Sequence, residues 1–283
     1  MNTLEISVQN TISFQNFVLR FYQKHGRHEL PWRQTDDPYH ILVSELMLQQ
    51  TQVVRVIPKY ESFMQRFPSI FTLSQASLSE VLTFWQGLGY NRRAKFLWQL
   101  AQKIANSQTK KFPKTESELL QLPGVGLYTA SAILSFAYNQ PATIIETNVR
   151  TVFLHHFCPM QTEVPDSKLL PLIRQTLYTP NPREWYWALM DYGAYLKKIL
   201  PNPSRKSKHH TKQSTFKGSL RQVRGEIIRI LVQKNTLNNE STTITLTELK
   251  QKITGNRLHF EEALEQLISE QLITKNKNKV CLS

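Results

Sequence analysis

Cysteine is scarce in this sequence: the 283 residues include only two, Cys158 and Cys281. They lie 123 positions apart, so the chain can build neither a disulfide framework nor a four-thiolate metal site from its own cysteines. Such cysteine usage is typical of proteins that work in a reducing compartment. We therefore expect an intracellular protein.

Long uninterrupted apolar runs are also missing, because Gln, Asn, Pro or Gly breaks every extended apolar stretch. The first residues, MNTLEISVQNTISF, do not combine a basic region with a following apolar one. A membrane span needs about 20 consecutive apolar residues, and a secretory signal needs both of those regions. The sequence thus predicts neither a signal peptide nor a transmembrane helix.

Acidic residues are few relative to basic ones. The chain carries 35 Lys and Arg against 21 Asp and Glu, which gives a formal net charge of +14. This excess favours nucleic acid as the partner class, ahead of an acidic membrane surface. Residues 192–225 contain nine basic residues and no acid. That stretch is a solvated linker or a strand that follows phosphates, and the two interpretations are compatible.

The apolar residues that are present recur at spacings of three and four up to about residue 200, which predicts an all-α body. Ser or Thr precedes several of these runs, as is common at helix N-termini. We predict a helix over 78–84 capped by Ser77, one over 118–122 preceded by Thr115, and one over 168–177 capped by Ser167. The length is sufficient for two domains with a sizeable core.

The helical pattern restarts after the basic stretch. Helices are predicted over 219–232, 245–253 and 258–270, the second of them with a Thr247 cap, and residues 272–282 alternate around an Asn/Lys turn as in a β-hairpin. This is the outline of a winged-helix domain, which binds DNA or protein, and DNA is favoured here. The predicted domains are residues 1–200, a basic linker or DNA-contact segment at 201–218, and a winged-helix-like domain at 219–283.

Two acidic residues stand alone in apolar surroundings, and the first is Glu45. It is the only charged residue from Ile41 to Val54, a stretch too apolar for a surface helix. Burial disfavours an ionised carboxylate and raises its pKa, as a general acid near neutral pH requires. The alternative is a structural Glu that bonds the terminus of a neighbouring helix, and the residues alone leave both open.

The second is Glu146, which follows 27 residues, 119–145, without a charged side chain. It precedes Thr147 and Asn148 and could simply cap a helix that runs over 149–157. A carboxylate at a helix N-terminus is also well placed for electrostatic work, because the helix dipole and free N–H groups keep it ionised. Capping and catalysis therefore both remain open for this residue.

Residues 122–133, LPGVGLYTASAI, lie between the two carboxylates in the sequence. One helix ends before them, Gly124 and Gly126 permit a tight turn, and the next helix starts near Tyr128. A hairpin of this kind points several free N–H groups outward at a helix N-terminus, where anions bind. On a basic protein, we expect the anion to be a DNA phosphate.

Five segments of the chain form a set that can be compared with known families. In chain order they are LPWRQTDDPYHILVSELMLQQTQVVRVIPKY, FWQGLGYNRRAKFL, LPGVGLYTASAI, ETNVRTV and ALMDYGAYL. Together they resemble the helix-hairpin-helix DNA glycosylases, and among these the MutY adenine glycosylases. The match covers about residues 15–200, and SELMLQQTQV and GLGY are specific to that branch. It implies a two-lobed, all-α helix-hairpin-helix fold, followed here by the winged-helix-like domain.

The resemblance implies catalytic roles. Glu45 matches the family's general acid, which protonates the adenine leaving group. Glu146 stands where MutY enzymes carry an Asp that stabilises the positively charged sugar, so the carboxylate is kept but lengthened by one methylene. Tyr128 stands where bifunctional relatives place a Schiff-base Lys, and since a phenol forms no imine, β-lyase activity is not expected. Asn148 matches a residue that helps position the catalytic groups.

The resemblance also implies DNA contacts. Gln50 and Tyr90 match side chains that insert into the duplex beside the extruded nucleotide, and we name them the intercalating pair. The other residues expected to contact DNA in these segments are Thr51, Gly124, Val125 and Gly126.

The chain departs from the family at two places. MutY enzymes usually follow this part of the chain with four cysteines that hold a [4Fe–4S] cluster, whereas Lys197 stands at the first of those positions here. We therefore expect no cluster, no other cofactor and no metal site, with phosphate contacts from Lys206, Lys208 and Lys212 instead. Many relatives also carry a Nudix-like domain that recognises 8-oxoguanine, which the winged-helix-like segment replaces.

The expected function is that of a monofunctional DNA N-glycosylase in base excision repair, which removes adenine opposite guanine or 8-oxoguanine from double-stranded DNA. One alternative is removal of thymine or uracil from mismatches with guanine, as related enzymes with Tyr at the hairpin position do. Another is a non-catalytic DNA-binding or regulatory protein, against which the two lone carboxylates argue. We expect a monomer in the cytoplasm or nucleoid, without a membrane partner.

Overall fold

The structure, a computed structural model, describes residues 6–238 and 243–283, with side chains up to residue 235 in the first range. Its helices are α1 (Val8–His25), α2 (Pro38–Leu48), α3 (Val53–Arg66), α4 (Ile70–Gln75), α5 (Leu78–Phe84), α6 (Arg92–Ala105), α7 (Glu116–Leu119), α8 (Leu127–Phe136), α9 (Thr147–Phe157), α10 (Asp166–Gln175), α11 (Pro182–Ile199), α12 (Leu220–Asn238), α13 (Leu246–Lys252) and α14 (Phe260–Ser269). The strands are β1 (Ile244–Thr245), β2 (Ile273–Asn276) and β3 (Lys279–Leu282), and 3-10 turns lie at Pro31–Arg33, Pro203–Lys206 and Arg257–His259. The described chain is mostly helical, which confirms the predicted fold class. None of these helices has both the length and the apolar character that crossing a membrane requires.

Polar caps set where several helices begin. The Ser77 hydroxyl accepts a hydrogen bond from the backbone N–H three residues on, and α5 begins directly after it, as predicted. Thr115 caps α7 in the same way. Ser167 does not cap α10, because that helix begins one residue earlier, at Asp166, after Pro165 in an extended conformation. The negative charge of Asp166 suits the first turn of a helix, which places Ser167 inside it.

The described chain divides into two compact units, and the first is formed from Met1–Leu42, Pro113–Gln121 and Val125–Lys212. In it, α11 packs against α1, α8 and α9. Phe153 of α9 and Trp185 of α11 are fully buried, and the ring of Phe14 from α1 lies edge-on to both. These aromatic side chains form the core of the unit.

A buried carboxylate ties α11 to the 3-10 turn at Pro31–Arg33 in the same unit. Asp191 accepts hydrogen bonds from the Arg33 guanidinium at 2.7 and 2.9 Å, and from the backbone N–H and guanidinium of Arg27. Burial raises the pKa of Asp191, but the two arginines outweigh it and hold that pKa below its ordinary value. The carboxylate therefore stays charged beside its partners at neutral pH.

The second unit is formed from Val43–Phe112, Leu122–Gly124 and Gln213–Ser283. In its first segment, α6 packs against α4 and α5. Phe63, Phe67 and Trp85 are fully buried there, with the ring centroids of Phe63 and Phe67 4.8 Å apart.

The last segment of this unit contains α12, β1, α13, α14, β2 and β3 in chain order. Its sheet has the strand order β1-β3-β2, and β3 is antiparallel to both neighbours. Whereas the winged-helix domain stays a prediction, the predicted hairpin is confirmed. Its two-residue turn is Lys277–Asn278, and Lys277 has the positive φ, 50°, that such turns require.

Three details of this segment differ from the prediction. The helix predicted to end at residue 232 continues to Asn238, and the sequence pattern did not predict the short strand β1. Thr245, and not Thr247, caps α13, since its hydroxyl accepts from the N–H of Glu248 at 3.2 Å. Thr245 and Glu248 have the spacing of a capping box, which decides between the two threonines.

Polar contacts join this segment to α5 and α6. The Lys95 ammonium of α6 donates to the Glu270 carbonyl oxygen at 2.7 Å and to the Gln271 side chain at 2.9 Å. The Asn235 amide of α12 donates to the Ser79 hydroxyl at 3.0 Å. Residues 213–283 thus belong to the same compact unit as residues 43–112. The division of the chain into a glycosylase domain and a separate domain at 219–283 stays a prediction.

Candidate active site

The residues predicted to form the site fall in both compact units. The second unit holds Glu45, Gln50, Thr51, Tyr90 and Gly124. The first unit holds Val125, Gly126, Tyr128, Glu146, Asn148, Lys206, Lys208 and Lys212. Within each unit the structure brings several of them together.

Glu45 lies inside α2, three residues before the helix ends. Its exposed fraction is 6%, and Val43, Leu46 and Met47 on the same helix are also buried. The burial predicted from the sequence is therefore confirmed. The Glu45 side chain is thus largely removed from water.

Arg93, near the start of α6, joins the end of α2 to the loop that carries Tyr90. Its guanidinium is buried, and the acceptors are the carbonyl oxygens of Leu46, Met47 and Gln49 on one side and of Leu88, Gly89 and Tyr90 on the other. The C-terminal end of a helix carries unpaired carbonyl groups and a partial negative charge. A buried cation at this end accepts no hydrogen bonds but donates them to the carbonyl groups, and its charge offsets the negative one. Burial lowers the pKa of Arg93 to about 10, and the group stays charged at neutral pH.

Thr51 bridges the same two loops. Its hydroxyl donates to the Gln49 carbonyl oxygen at 3.2 Å and lies 3.4 Å from that of Leu88. The hydroxyl is therefore used within the protein, and the predicted contact of Thr51 with DNA stays a prediction.

The intercalating pair shares an uncommon backbone conformation. Gln50 has a φ of 55° and Tyr90 a φ of 48°, in the left-handed region that residues other than glycine seldom adopt. Each such residue costs about 1–3 kcal/mol and persists only where the surrounding structure enforces it, most often at functional sites. Five other described residues that are not glycine, among them Lys277 in the β-hairpin turn, also have a positive φ, so the conformation by itself assigns no function to the pair.

Gly124 and Gly126 serve the hairpin in different ways. Gly124 has a φ of 74°, and an added Cβ would lie 2.5 Å from the Cβ of Phe96 in the same unit. No side chain fits there. Gly126 has a φ of −99°, and a Cβ would meet nothing within 4 Å. Its missing side chain leaves the approach to the start of α8 open.

The N-terminus of α8 has the features of an anion site. No side chain caps it, and its first intrahelical hydrogen bond runs from the Ala130 N–H to the Gly126 carbonyl oxygen at 2.9 Å. A helix N-terminus without a side-chain cap can bind an anion through the N–H groups of its first turn. Val125 is buried and Leu127 is exposed, while the half-buried Tyr128 lies in the first turn.

Glu146 is the N-cap residue of α9, so the capping interpretation is confirmed. Its Oε1 accepts hydrogen bonds from the N–H groups of Asn148 at 2.7 Å and Val149 at 2.9 Å. The Asn148 side-chain amide donates to Oε2 at 3.2 Å, so hydrogen bonds hold both oxygens of the carboxylate. The Asn148 Oδ1 is buried and accepts no hydrogen bond from any residue that the structure describes.

Gly193 allows α11 to approach the start of α9. A Cβ at this position would lie 2.2 Å from the Asn148 carbonyl oxygen. Lys197, one turn further along α11, is half-buried; burial lowers its pKa, and the charge of Glu146 opposes that shift. Gly193 and Arg93 carried no functional prediction from the sequence, although both contact predicted site residues or their neighbours.

The basic stretch after α11 is ordered by packing. Ser207 pairs with Val164 in a parallel bridge, and Pro203 and Ser204 are buried. The Lys206 ammonium donates to the Pro159 carbonyl oxygen at 2.6 Å. Lys208 and Lys212 are exposed and point to no carboxylate within the described residues. The contacts of these lysines with DNA phosphates therefore stay predictions.

The residues present do not fit an iron–sulfur cluster in this region. Such a cluster requires thiolate ligands, and residues 197–212 contain no cysteine. Within residues 6–238 and 243–283, no three His, Cys, Asp or Glu side chains are grouped so that they could hold a metal ion.

The sequence of this chain is similar to a known protein family and to several curated proteins. Residues 43–170 match the family described as HhH-GPD superfamily base excision DNA repair protein. The adenine DNA glycosylase of Buchnera aphidicola subsp. Baizongia pistaciae is 36% identical over 190 residues, which cover 66% of this chain and 53% of that protein. The adenine DNA glycosylase of Mycobacterium tuberculosis is 31% identical over 284 residues, with 91% and 89% covered. The chain spans about half the length of the Buchnera relatives that it matches.

Two solved structures illustrate the likeness in fold. A thermostable thymine-DNA glycosylase gives a TM-score of 0.58 at 26% identity, with 70% of this chain and 90% of that chain covered. An endonuclease III in a non-covalent complex with DNA gives a TM-score of 0.52 at 18% identity, with 69% and 87% covered. The second likeness shows the fold alone.

Proposed function

Because the chain belongs to the helix-hairpin-helix superfamily of base excision DNA repair proteins, we propose that it is a DNA N-glycosylase that removes adenine paired with guanine or 8-oxoguanine. Its curated relatives include adenine DNA glycosylases. A glycosidic bond inside the base stack is out of reach of protein side chains, so the adenine must first leave the duplex.

The buried Glu45 carries this proposal. We assign to this buried carboxyl group the role of general acid, which donates its proton to the departing adenine. The resulting carboxylate then accepts a proton from the water that attacks the sugar. A protein that only binds DNA has no need of a desolvated carboxyl group at this position.

Glu146 supplies the second function, stabilisation of positive charge on the sugar. Two backbone N–H groups and the Asn148 amide hold its carboxylate in one orientation. A preorganised charge lowers the barrier most where charge develops in the transition state, and the sugar becomes cationic as the base departs. Asn148 acts here as a positioning residue.

The reaction stops at base removal. Tyr128 presents a phenol, which cannot form the imine that strand cleavage by a lyase requires. Borohydride treatment of a reaction mixture should therefore trap no covalent adduct between protein and DNA. The reaction also needs no iron–sulfur cluster, so the purified protein should lack the broad visible absorption of one.

A second candidate is removal of thymine or uracil from mismatches with guanine. It is favoured by the structural likeness to a thermostable thymine-DNA glycosylase, at 26% identity. The pyrimidine and the purine differ in size and in the groups that they present, so a direct comparison of substrates separates the two candidates.

The test is a panel of labelled duplexes with adenine opposite guanine or 8-oxoguanine, and with thymine or uracil opposite guanine. Hot alkali converts each abasic product into a cleaved strand. We expect cleavage only of the strands that carry adenine. Cleavage of thymine or uracil strands alone would support the second candidate, and tight binding without any cleavage would indicate a non-catalytic DNA-binding protein.

We also propose that the basic stretch contacts phosphates. Lys208 and Lys212 are exposed, whereas the Lys206 ammonium already donates to a carbonyl oxygen. The double variant Lys208→Ala/Lys212→Ala should therefore lower the slope of log affinity against log salt by about 0.9 per lost contact. Lys206→Ala should change it less. An unchanged slope in the triple variant would make the stretch a solvated linker.

A further inference from the structure

The β2–β3 hairpin in the second unit has a basic tip. Residues 274–279 are all exposed, contain no acid, and include three lysines: Lys275, Lys277 and Lys279. None of the three forms an ion pair with a carboxylate in the part of the chain that the structure describes. We name these three residues the lysine tip.

Other lysines in the last segment of this unit are already paired. The Lys250 ammonium lies 3.0 Å from the carboxylate of Glu261, and that of Lys252 lies 2.9 Å from the carboxylate of Glu248. Their charge is offset within the protein, whereas the charge of the lysine tip faces solvent. The tip is therefore available to an anionic partner.

Protection of a sheet edge does not account for the lysine tip. An edge strand often carries lysine, which hinders pairing with the edge of another chain. Lys275 lies on the edge strand β2 and fits this role. Lys279 lies on β3, the central strand, and Lys277 lies in the turn, so neither has an edge to protect. These two lysines need another explanation.

The lysine tip has the shape and charge that fit a DNA groove. Lys275 is paired with Val280 and Lys279 with Asn276, so the two lysines lie on opposite faces of the hairpin, with Lys277 at its end. The major groove of a duplex admits a two-stranded ribbon and has phosphates along both of its edges. A ribbon with an ammonium group on each face can therefore meet phosphates on both sides.

The exposed face of α14 is acidic and does not suit DNA. In a winged-helix arrangement, α14 would be the helix that enters the groove. Its sequence, FEEALEQLIS, contains neither Lys nor Arg, and Glu261, Glu262 and Glu265 are exposed. Phosphates repel such a face. Of these two elements, the hairpin is the one that suits a duplex.

Hydrogen bonds hold the hairpin in one position. β3 pairs with β1 on one side and with β2 on the other. The backbone N–H of Leu246 donates to the carbonyl oxygen of Asn278 at 2.9 Å, which ties the turn to the start of α13. The lysine tip is thus ordered before any partner binds, so less entropy is lost on binding.

α12 connects the hairpin to the intercalating pair within the same unit. The Arg221 guanidinium donates to the Tyr90 hydroxyl at 2.7 Å, and Arg224, about one turn later, donates to the Glu270 carboxylate at 2.6 Å, shortly before β2 begins. Gln213, ahead of α12, donates to both members of the intercalating pair, at 3.1 and 2.6 Å. The lysine tip and the intercalating pair are therefore held on one frame.

We propose that the lysine tip is a second DNA-contact surface, which binds backbone phosphates independently of sequence while α14 stays off the duplex. The proposal rests on the proposed function only for the choice of DNA as the partner. It assigns the contact to the hairpin and not to the helix that the winged-helix pattern indicates.

The first experiment measures binding and not excision. The affinity of the full chain for a matched and for a mismatched duplex is followed over a range of salt concentrations. The variant Lys275→Gln/Lys277→Gln/Lys279→Gln should lower the slope of log affinity against log salt by about 0.9 per lost contact, or about 2.7 for three contacts. Both duplexes should show the same change, because phosphates carry no sequence information.

The matched control is Lys234→Gln/Lys250→Gln/Lys252→Gln, which removes the same charge from the same segment. Each of these lysines pairs with Glu248 or Glu261. The control should change the slope by less than one contact, about 0.9. It therefore separates phosphate contact from the general effect of a lower net charge.

A second experiment locates the DNA directly and keeps the lysine tip intact. Cys158 is buried, so in a Cys281→Ser background an iron–EDTA group can be attached to a single introduced cysteine. Attached through Asn278→Cys in the turn, it should cut a bound duplex. Attached through Glu262→Cys on α14, it should cut several-fold less.

Two outcomes would overturn the proposal. A slope that falls no further in the hairpin variant than in the control would mean that the lysine tip contacts no phosphate. Stronger cutting from position 262 than from position 278 would place α14, and not the hairpin, against the duplex. If the unchanged protein bound no duplex at all, the proposed function would fail as well, whereas excision of adenine together with either of the first two outcomes would remove only the role of the hairpin.

Discussion

Glu45 and Glu146 differ in burial and in their position relative to a helix. Glu45 lies inside α2 among buried apolar residues, with an exposed fraction of 6%. Glu146 lies just before α9, is half-buried, and accepts three hydrogen bonds from Asn148 and Val149. One carboxyl group is removed from water inside a helix, and the other is placed on the positive end of a helix dipole.

This difference assigns the two groups different chemistry. A buried carboxyl group on a helix suits the proposed role of general acid. A carboxylate held in one orientation by N–H donors suits the proposed role of opposing a developing positive charge. Under the proposed function, the same type of side chain would serve as acid at one position and as electrostatic partner at the other.

The largest effect is expected from Glu45→Gln. The amide keeps the shape of the side chain and loses the transferable proton, so base excision should slow by about 10²- to 10⁴-fold. Affinity for a mismatched duplex should stay within a few-fold of the unchanged protein. Single-turnover excision assays check the rate, and retention of more than a tenth of it would exclude Glu45 as the acid.

The next effect is expected from Glu146→Gln. Glutamine can still accept a hydrogen bond at the start of α9 but carries no charge, so excision should slow by about 10²-fold while the helix keeps its cap. Glu146→Asp retains the charge and shortens the side chain by one methylene, which tests whether the longer side chain is adapted to this site. A Gln variant as fast as the unchanged protein would reduce Glu146 to a cap.

The sequence predicted both carboxylates because each one interrupts a long uncharged stretch. It also located the cap at Ser77, since the apolar run follows directly. The predicted caps at Ser167 and Thr247 were wrong. Asp166 begins the first of these helices directly after a proline, and Thr245 caps the second because Glu248 lies three residues further on. Local competition of this kind depends on one-residue differences that hydrophobic periodicity does not resolve.

The sequence did not indicate the structural roles of Arg93 and Gly193, and the reason is different. The partners of Arg93 are mainly backbone carbonyl oxygens, some of them 44 to 47 residues away in the sequence. Gly193 matters because the Asn148 carbonyl oxygen leaves no room for a Cβ. Backbone groups are the same at every residue, so contacts with them leave no pattern in a single sequence. The contact of Gln213 with Gln50 and Tyr90 was hidden in the same way by its distance along the chain.

A smaller effect is expected from Gly193→Ala, which acts on Glu146 through its neighbour. The new Cβ would lie 2.2 Å from the Asn148 carbonyl oxygen, so α9 and α11 must separate by about 1 Å, a displacement that can cost up to about 10²-fold in rate. Binding of DNA should change little.

The matched control is Gly225→Ala, because Gly225 also lies inside a helix, α12, where an added Cβ meets nothing within 4 Å. It should leave excision unchanged and stabilise the protein by about 0.5–1 kcal/mol in urea unfolding. Equal rates for the two variants would show that the close approach at Gly193 does not position Glu146.

The smallest effect on excision is expected from Arg93→Met, which tests whether the end of α2 must be fixed for Glu45 to act. Loss of the guanidinium leaves buried carbonyl groups unpaired and should lower the free energy of unfolding by about 2–3 kcal/mol. Excision should slow by only about tenfold, or about 1.4 kcal/mol in the barrier, because Glu45 lies inside the helix and not in the freed loop. Arg92→Met is the control, since Arg92 is exposed and stacks on Phe96 at 4.9 Å, and it should change stability by less than about 0.5 kcal/mol. If Arg93→Met instead slows excision as much as Glu45→Gln while the protein remains folded, then the acid depends on the loops of the intercalating pair, and the contrast between Glu45 inside α2 and Glu146 at the start of α9 would lose its meaning for catalysis.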